Sequence, residues 1–103
     1  MAIARIWRTR IDKQRADEYE RFADQESLPM FRAHEGLIGV IFGRAEDDRV
    51  VISLWSSADD VAALDASPIY QQTVERIEAT GFIVGPSSVE VFAVHGGTID
   101  GAL

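Results

Sequence analysis

The chain has 103 residues, 47% of them apolar and 26% charged, with 8 Gly and 3 Pro. This is the usage of one globular domain rather than of a disordered or low-complexity chain. The absence of Cys excludes disulfides, thiolate catalysis, Cys-ligated zinc and iron–sulfur clusters. A net charge of −7 repels a phosphate backbone and an anionic lipid surface, so neither nucleic acid nor membrane is an expected partner. No apolar run nears the ~18 residues that span a bilayer, and Arg5 interrupts the N-terminus before a signal-peptide core can form, which makes the cytoplasm the expected setting.

Ala2 to Arg10 alternates as a strand, with Ile3, Arg5 and Trp7 on one face and Ala4, Ile6 and Arg8 on the other. Asp12 can cap a first helix, whose inner face takes Ala16, Tyr19, Phe22 and Ala23. Ser27-Leu28-Pro29 predicts a kink or restart, because Pro29 has no N–H and disfavours helical geometry at Leu28. Leu37–Gly43 and Arg49–Trp55 are short apolar runs around the polar turn Glu46-Asp47-Asp48, hence an antiparallel hairpin. Ser57-Ala58-Asp59-Asp60 is a capping box that opens a second helix, and Ser67-Pro68 restarts it with Tyr70, Thr73, Val74 and Ile77 on the apolar face. Val89–His95 is the last strand, and residues from about 96 to 103 form a loose tail on a single domain spanning 1–103.

The order β-α-β-β-α-β predicts a ferredoxin-like α+β sandwich, with a four-stranded antiparallel sheet and both helices on one face. Three of the strands are apolar at both parities: Leu37, Gly39 and Ile41 oppose Ile38, Val40 and Phe42, and the third and fourth strands behave alike. Helices on one face leave the other bare, and a symmetric second copy is the simplest cover. The expected assembly is a homodimer packed sheet on sheet.

With this layout in place, Ala4-Arg5-Ile6-Trp7-Arg8, Phe31-Arg32-Ala33, Gly36-Leu37-Ile38-Gly39, Ile52-Ser53-Leu54-Trp55-Ser56-Ser57 and Ser67-Pro68-Ile69-Tyr70 together make the chain resemble the antibiotic biosynthesis monooxygenase family of dimeric α/β-barrel proteins. The resemblance covers nearly the whole chain and rests most on the strand-ending Trp followed by Ser. It implies cofactor-independent oxidation of a phenolic, quinol-like or polycyclic hydroxyanthrone-like aromatic by O₂, in a pocket between sheet and helices. Three polar positions of a characterised branch depart here: an Asn four residues before the Trp is Val51, a Tyr six residues after it is Val61, and an Arg on the second helix is Val74. The haem-degrading branch fits less well, since its Asn, second Trp and ligating His fall on about Ile6, Leu64 and Val74.

The candidate catalytic residues are therefore His34, Trp55 and Tyr70. Trp55 takes the position of the family's pocket-facing Trp, His34 stands before the second strand as a general base for a phenol, and Tyr70 offers a hydroxyl to a substrate oxygen. Ile6, Tyr19, Phe22, Val51, Val61, Leu64 and Val74 are the expected pocket lining. Each has a plainer reading as core, because aromatics and aliphatics at helical or strand spacing are packing first. Arg5, costly inside unless paired, is expected to meet Glu90 across the sheet. His34 and His95 have no metal-ligand spacing, so no metal is expected. Two further readings remain open: a non-catalytic dimeric module that binds an apolar small molecule or serves assembly, and an isomerase or lyase on the same barrel. An RNA-binding domain of this topology would need stacking aromatics and basic residues where Val50-Val51-Ile52-Ser53-Leu54 stands.

Overall fold

β1 (Ile3–Arg10) is an inner strand, flanked by β3 (Asp48–Trp55) and β4 (Ser88–Ala93), with β2 (Leu37–Ala45) at the far edge. The order β2-β3-β1-β4, antiparallel throughout, is the one that two right-handed crossovers of this topology generate. These elements come from a computed structural model, which describes residues 1–101 and 103. The register aligns side chains into rows across the strands. One face carries Ala93-Ile3-Trp55-Leu37, Val91-Arg5-Ser53-Val40 and Val89-Trp7-Val51-Phe42; the other carries Phe92-Ala4-Leu54-Gly39 and Glu90-Ile6-Ile52-Ile41.

β2 departs from simple alternation. A register shift between Leu37 and Gly39 bulges the strand at Ile38, so Leu37, Val40 and Phe42 share the helix side while Gly39 and Ile41 turn away. The extra residue reverses the side of everything after it, which strict period-two reading cannot anticipate.

The first crossover begins with a short 3₁₀ turn (Lys13–Arg15), where Asp12 accepts a bond from the Gln14 N–H at 3.0 Å. α1 (Ala16–Phe22), a π-helical turn (Ala23–Ser27) and α2 (Leu28–Arg32) then run on without a break. Leu28 keeps helical angles, against the expectation set by Pro29, and its N–H reaches back five residues to the Ala23 carbonyl. Pro29 has no hydrogen to give to the turn before it, and one π turn absorbs the missing bond without breaking the helix. The second crossover follows the sequence closely. Ser57 accepts from the Asp60 N–H at 3.3 Å and donates to the Asp60 carboxylate at 2.9 Å, capping α3 (Ala58–Ala66). Ser67 caps α4 (Pro68–Ala79) with Pro68 in its first turn. Gly36 lies against α3, and a Cβ there would overlap the Asp60 side chain.

Two clusters fill the space between helices and sheet. Ile3, Met30, Phe31, Val51, Trp55, Val61 and Leu64 form one; Ile11, Tyr19, Ile77 and Phe82 form the other, with Phe22 packed on its edge. Phe82 meets Tyr19 and Phe22 edge on, at centroid distances of 6.5 and 6.4 Å. β4 is exposed along its whole length, and it ends at Ala93, so His95 lies beyond the strand and is exposed. No helix among the described residues is long and apolar enough to cross a membrane.

Candidate functional site

A cavity of about 150 Å³ lies between the sheet and the helices. Its floor is Arg5 and Trp7 of β1, Phe42 of β2, Val51 of β3 and Val89 of β4; its roof is Tyr19, Ala23 and Ser27 from the first crossover and Tyr70, Thr73, Val74 and Ile77 from α4. Ala23 and Ser27 both belong to the π-helical turn, whose wider backbone re-aims side chains that an α-helix would place elsewhere. Glu78, Ser87 and Val89 are the exposed members of the wall and mark the mouth.

The polar centre of this apolar space is Arg5, only 4% exposed. Its Nη2 donates to Tyr70 Oη at 2.8 Å and to Asp65 Oδ1 at 3.2 Å, while its buried Nε–H has no partner among the described residues. Glu90, expected to pair with Arg5, stands on the opposite face of the sheet and binds Arg8 at 3.3 Å. The two positions differ by one in register, and one residue along a strand is the difference between two faces. Tyr70 uses its oxygen to accept from Arg5, which leaves its own hydrogen free to donate.

Tyr19 roofs the cavity from α1. Burial pushes its phenol up to about 12, opposed by the Arg49 guanidinium and reinforced by Glu20, so it stays protonated near neutrality and offers its O–H as a hydrogen-bond donor. Arg49, also buried, is engaged by Glu20 Oε2 at 3.0 Å and by the carbonyls of Glu46 and Asp48. It braces the β2–β3 turn and is absent from the cavity wall. Among the described residues no three His, Asp or Glu side chains converge as a metal site.

The expected site residues divide. Tyr70, Tyr19, Val51 and Val74 line the cavity. Trp55 does not: it is fully buried, donates Nε1–H to Ser53 Oγ at 2.8 Å and packs on Phe31 and His34. Ser53 gives the indole a buried acceptor, and this holds the ring in the core. Val61 and Leu64 pack in the same cluster, and Phe22 belongs to the other. Ile6 lies on the far face of the sheet, since it has the opposite parity to Arg5 and Trp7.

His34, expected as a base, stands off the cavity wall and bridges two elements. Nδ1 stands 2.9 Å from the Met30 carbonyl and Nε2 2.8 Å from Ser67 Oγ. A carbonyl only accepts, so Nδ1 carries the hydrogen and Nε2 accepts from the Ser67 hydroxyl. Both ring nitrogens are spent joining α2 to the cap of α4, and neither faces the cavity. Among the wall residues that sequence reasoning missed are Arg5, Trp7, Phe42, Thr73, Ile77 and the π-turn pair. Arg5 had a signal, a charge sharing the parity of Ile3 and Trp7; the π turn had only Pro29.

No family model and no curated protein matches the sequence. Solved structures do match. A monooxygenase from Streptomyces coelicolor, in complex with the ligand nanaomycin D, superposes with a TM-score of 0.81 at 13% identity, covering 97% of this chain and 93% of its own. SnoaB, a cofactor-independent oxygenase from Streptomyces nogalater, gives 0.74 at 16% identity over 96% and 98% of the two chains. A Caulobacter crescentus protein described as an antibiotic biosynthesis monooxygenase gives 0.78 at 15% over 91% of each. The fold is that of the antibiotic biosynthesis monooxygenases. At these identities the likeness extends to the backbone alone, and the chemistry has to be argued from the side chains.

Proposed function

We propose that the protein belongs to the antibiotic biosynthesis monooxygenase family and oxidises a phenolic aromatic with O₂ in the helix–sheet cavity, without a cofactor. The observation that carries this reading is an apolar cavity holding one buried cation, Arg5, with a donor left over. A guanidinium in such surroundings favours the ionised phenol over the neutral one, because opposite charge is felt strongly where water is excluded. The proton leaves through the mouth, past Glu78. The phenolate then supplies the electrons: a ring C–H para to the oxygen becomes a carbonyl, one atom of O₂ entering the ring and the other leaving as water. Phenol plus O₂ thus gives quinone plus H₂O.

The test is O₂ uptake with a panel of phenols, quinols and hydroxyanthrones, run with ¹⁸O₂ to place one labelled atom in the product. Uptake above the autoxidation rate, lost when Val74→Phe fills the cavity, is the expected result. Binding without uptake across the panel gives the non-catalytic small-molecule reading. That alternative has its own support, since His34 and Trp55 are both engaged elsewhere. Absence of binding removes both readings.

The same proposal includes a homodimer. Ile6, Ile52, Ile41, Leu54 and Phe92 share the sheet face that no helix covers, and Ile41 and Phe92 are 41% and 49% exposed. On the helix side Val89 and Val91 of β4 are also left open. Bare apolar surface on both faces of an edge strand is a feature of a chain that buries it against a copy of itself.

A further inference from the structure

We infer that Arg5 is the anion-binding group of the cavity and that the ligand it selects is a one-ring aromatic carrying a carboxylate beside its hydroxyl. This deepens the proposed function and rests on it for the use of the cavity. Three observations on the residues lead here.

The first is the arrangement around the guanidinium. Nη2 alone serves both Asp65 and Tyr70, while Nε–H is buried and has no acceptor among the described residues. A buried donor left unpaired is costly; among the described residues Arg49 Nε–H is also buried without a partner, but Arg49 lies off the cavity wall whereas Arg5 stands on it. The second is charge. Asp65 is the ion-pair partner of Arg5, and its side chain is 57% exposed, so it neutralises Arg5 from the solvent side with a screened charge. The cavity side of the guanidinium remains positive, and an anionic oxygen there would accept from the guanidinium in a charge-assisted bond. Tyr70, whose oxygen is already engaged by Arg5, has a hydrogen to give to the same ligand. The third is size. A cavity of about 150 Å³ falls below the ~300 Å³ of ordinary drug-sized sites, whereas an apolar cavity of about this volume admits one benzene ring. A three-ring hydroxyanthrone would reach out through the mouth; a hydroxybenzoate fits inside, with its carboxylate and adjacent hydroxyl towards Arg5 and Tyr70 and its ring among Val51, Tyr19 and Val74.

The experiment compares 2-hydroxybenzoate with 2-methylphenol, which keeps the ring and hydroxyl and replaces the charge with a methyl group. Affinities are measured by calorimetry on the wild type, on Arg5→Met and on Tyr70→Phe, and the Arg5 Nε–H resonance is followed by NMR. The expected result is a preference for 2-hydroxybenzoate of about tenfold or more in the wild type, falling below threefold in Arg5→Met, with the Nε–H resonance moved by 2-hydroxybenzoate and not by 2-methylphenol. Tyr70→Phe weakens 2-hydroxybenzoate while leaving its preference over 2-methylphenol. If Arg5→Met fails to fold, the wild-type preference and the Nε–H shift decide the matter. Equal affinity for the two ligands, or an unmoved Nε–H, overturns the inference and leaves the cavity reading standing. Failure of both to bind overturns the two together.

Discussion

Replacing Trp55 with Phe separates a core residue from a pocket wall. In the structure the indole is fully buried, its Nε1–H bonds Ser53 Oγ at 2.8 Å, and its ring meets Phe31 and His34 at centroid distances of 6.5 and 6.2 Å. The substitution removes roughly 40 Å³ of side chain, which at the usual cavity rate costs about 1 kcal/mol. It also removes the donor to Ser53, a buried hydroxyl whose remaining bond is to the Arg5 carbonyl at 3.4 Å. That loss adds about 1–2 kcal/mol. The sum, about 2–3 kcal/mol, is a large part of the ~5–15 kcal/mol that holds a domain of this kind together, and it lowers the melting temperature by roughly 10–20 °C. Equilibrium unfolding in urea at one fixed protein concentration measures it, because association would otherwise contribute to the apparent stability. Ligand affinity measured on the folded variant should stay within about twofold of wild type, since Trp55 is absent from the cavity wall. A variant of wild-type stability with affinity reduced tenfold would refute this reasoning and return Trp55 to the pocket.

Sedimentation of the wild type at low micromolar concentration should show a dimer, and Ile52→Glu, at the centre of the bare sheet face, should give a folded monomer; a wild-type monomer at that concentration contradicts the argument from the uncovered face. The raised Tyr19 phenol makes a pH prediction. The unfolded tyrosine ionises near ~10 and the folded one at about 12, so stability is intact below pH ~10 and falls as pH rises between the two values, by of order 2 kcal/mol in all. Urea midpoints from pH 9 to 12 should therefore decline more steeply for the wild type than for Tyr19→Phe, and parallel declines would remove the assignment.

The strands, both helix starts and the ferredoxin-like order were legible because their signals are local. Ser57 and Asp60, and then Ser67 and Pro68, set helix starts through bonds within one turn, and the apolar runs at 37–43 and 49–55 leave a hairpin little choice. The cavity was half legible. Tyr70, Tyr19, Val51 and Val74 reach its wall because strand parity and helical period place them there. Trp55, Val61 and Leu64 obey the same periods, and period alone does not tell a wall from a packed core. That choice depends on what each side chain meets across the layer, and Ser53 beneath the indole made it for Trp55.

By itself, then, the sequence determined the topology, the shared face of Ile3, Arg5 and Trp7, and the excess of apolar residues on the sheet, all consequences of backbone period and composition. The tertiary structure decided the rest. It bent β2 at Ile38, absorbed Pro29 in a π turn, joined His34 to Ser67 across 33 residues, and brought Arg5 under Asp65 and Tyr70 from 60 and 65 residues away. Hydrogen-bond partners so distant in sequence are chosen by the closing of the layers, since a buried donor takes whichever acceptor the packed fold leaves within about 3 Å.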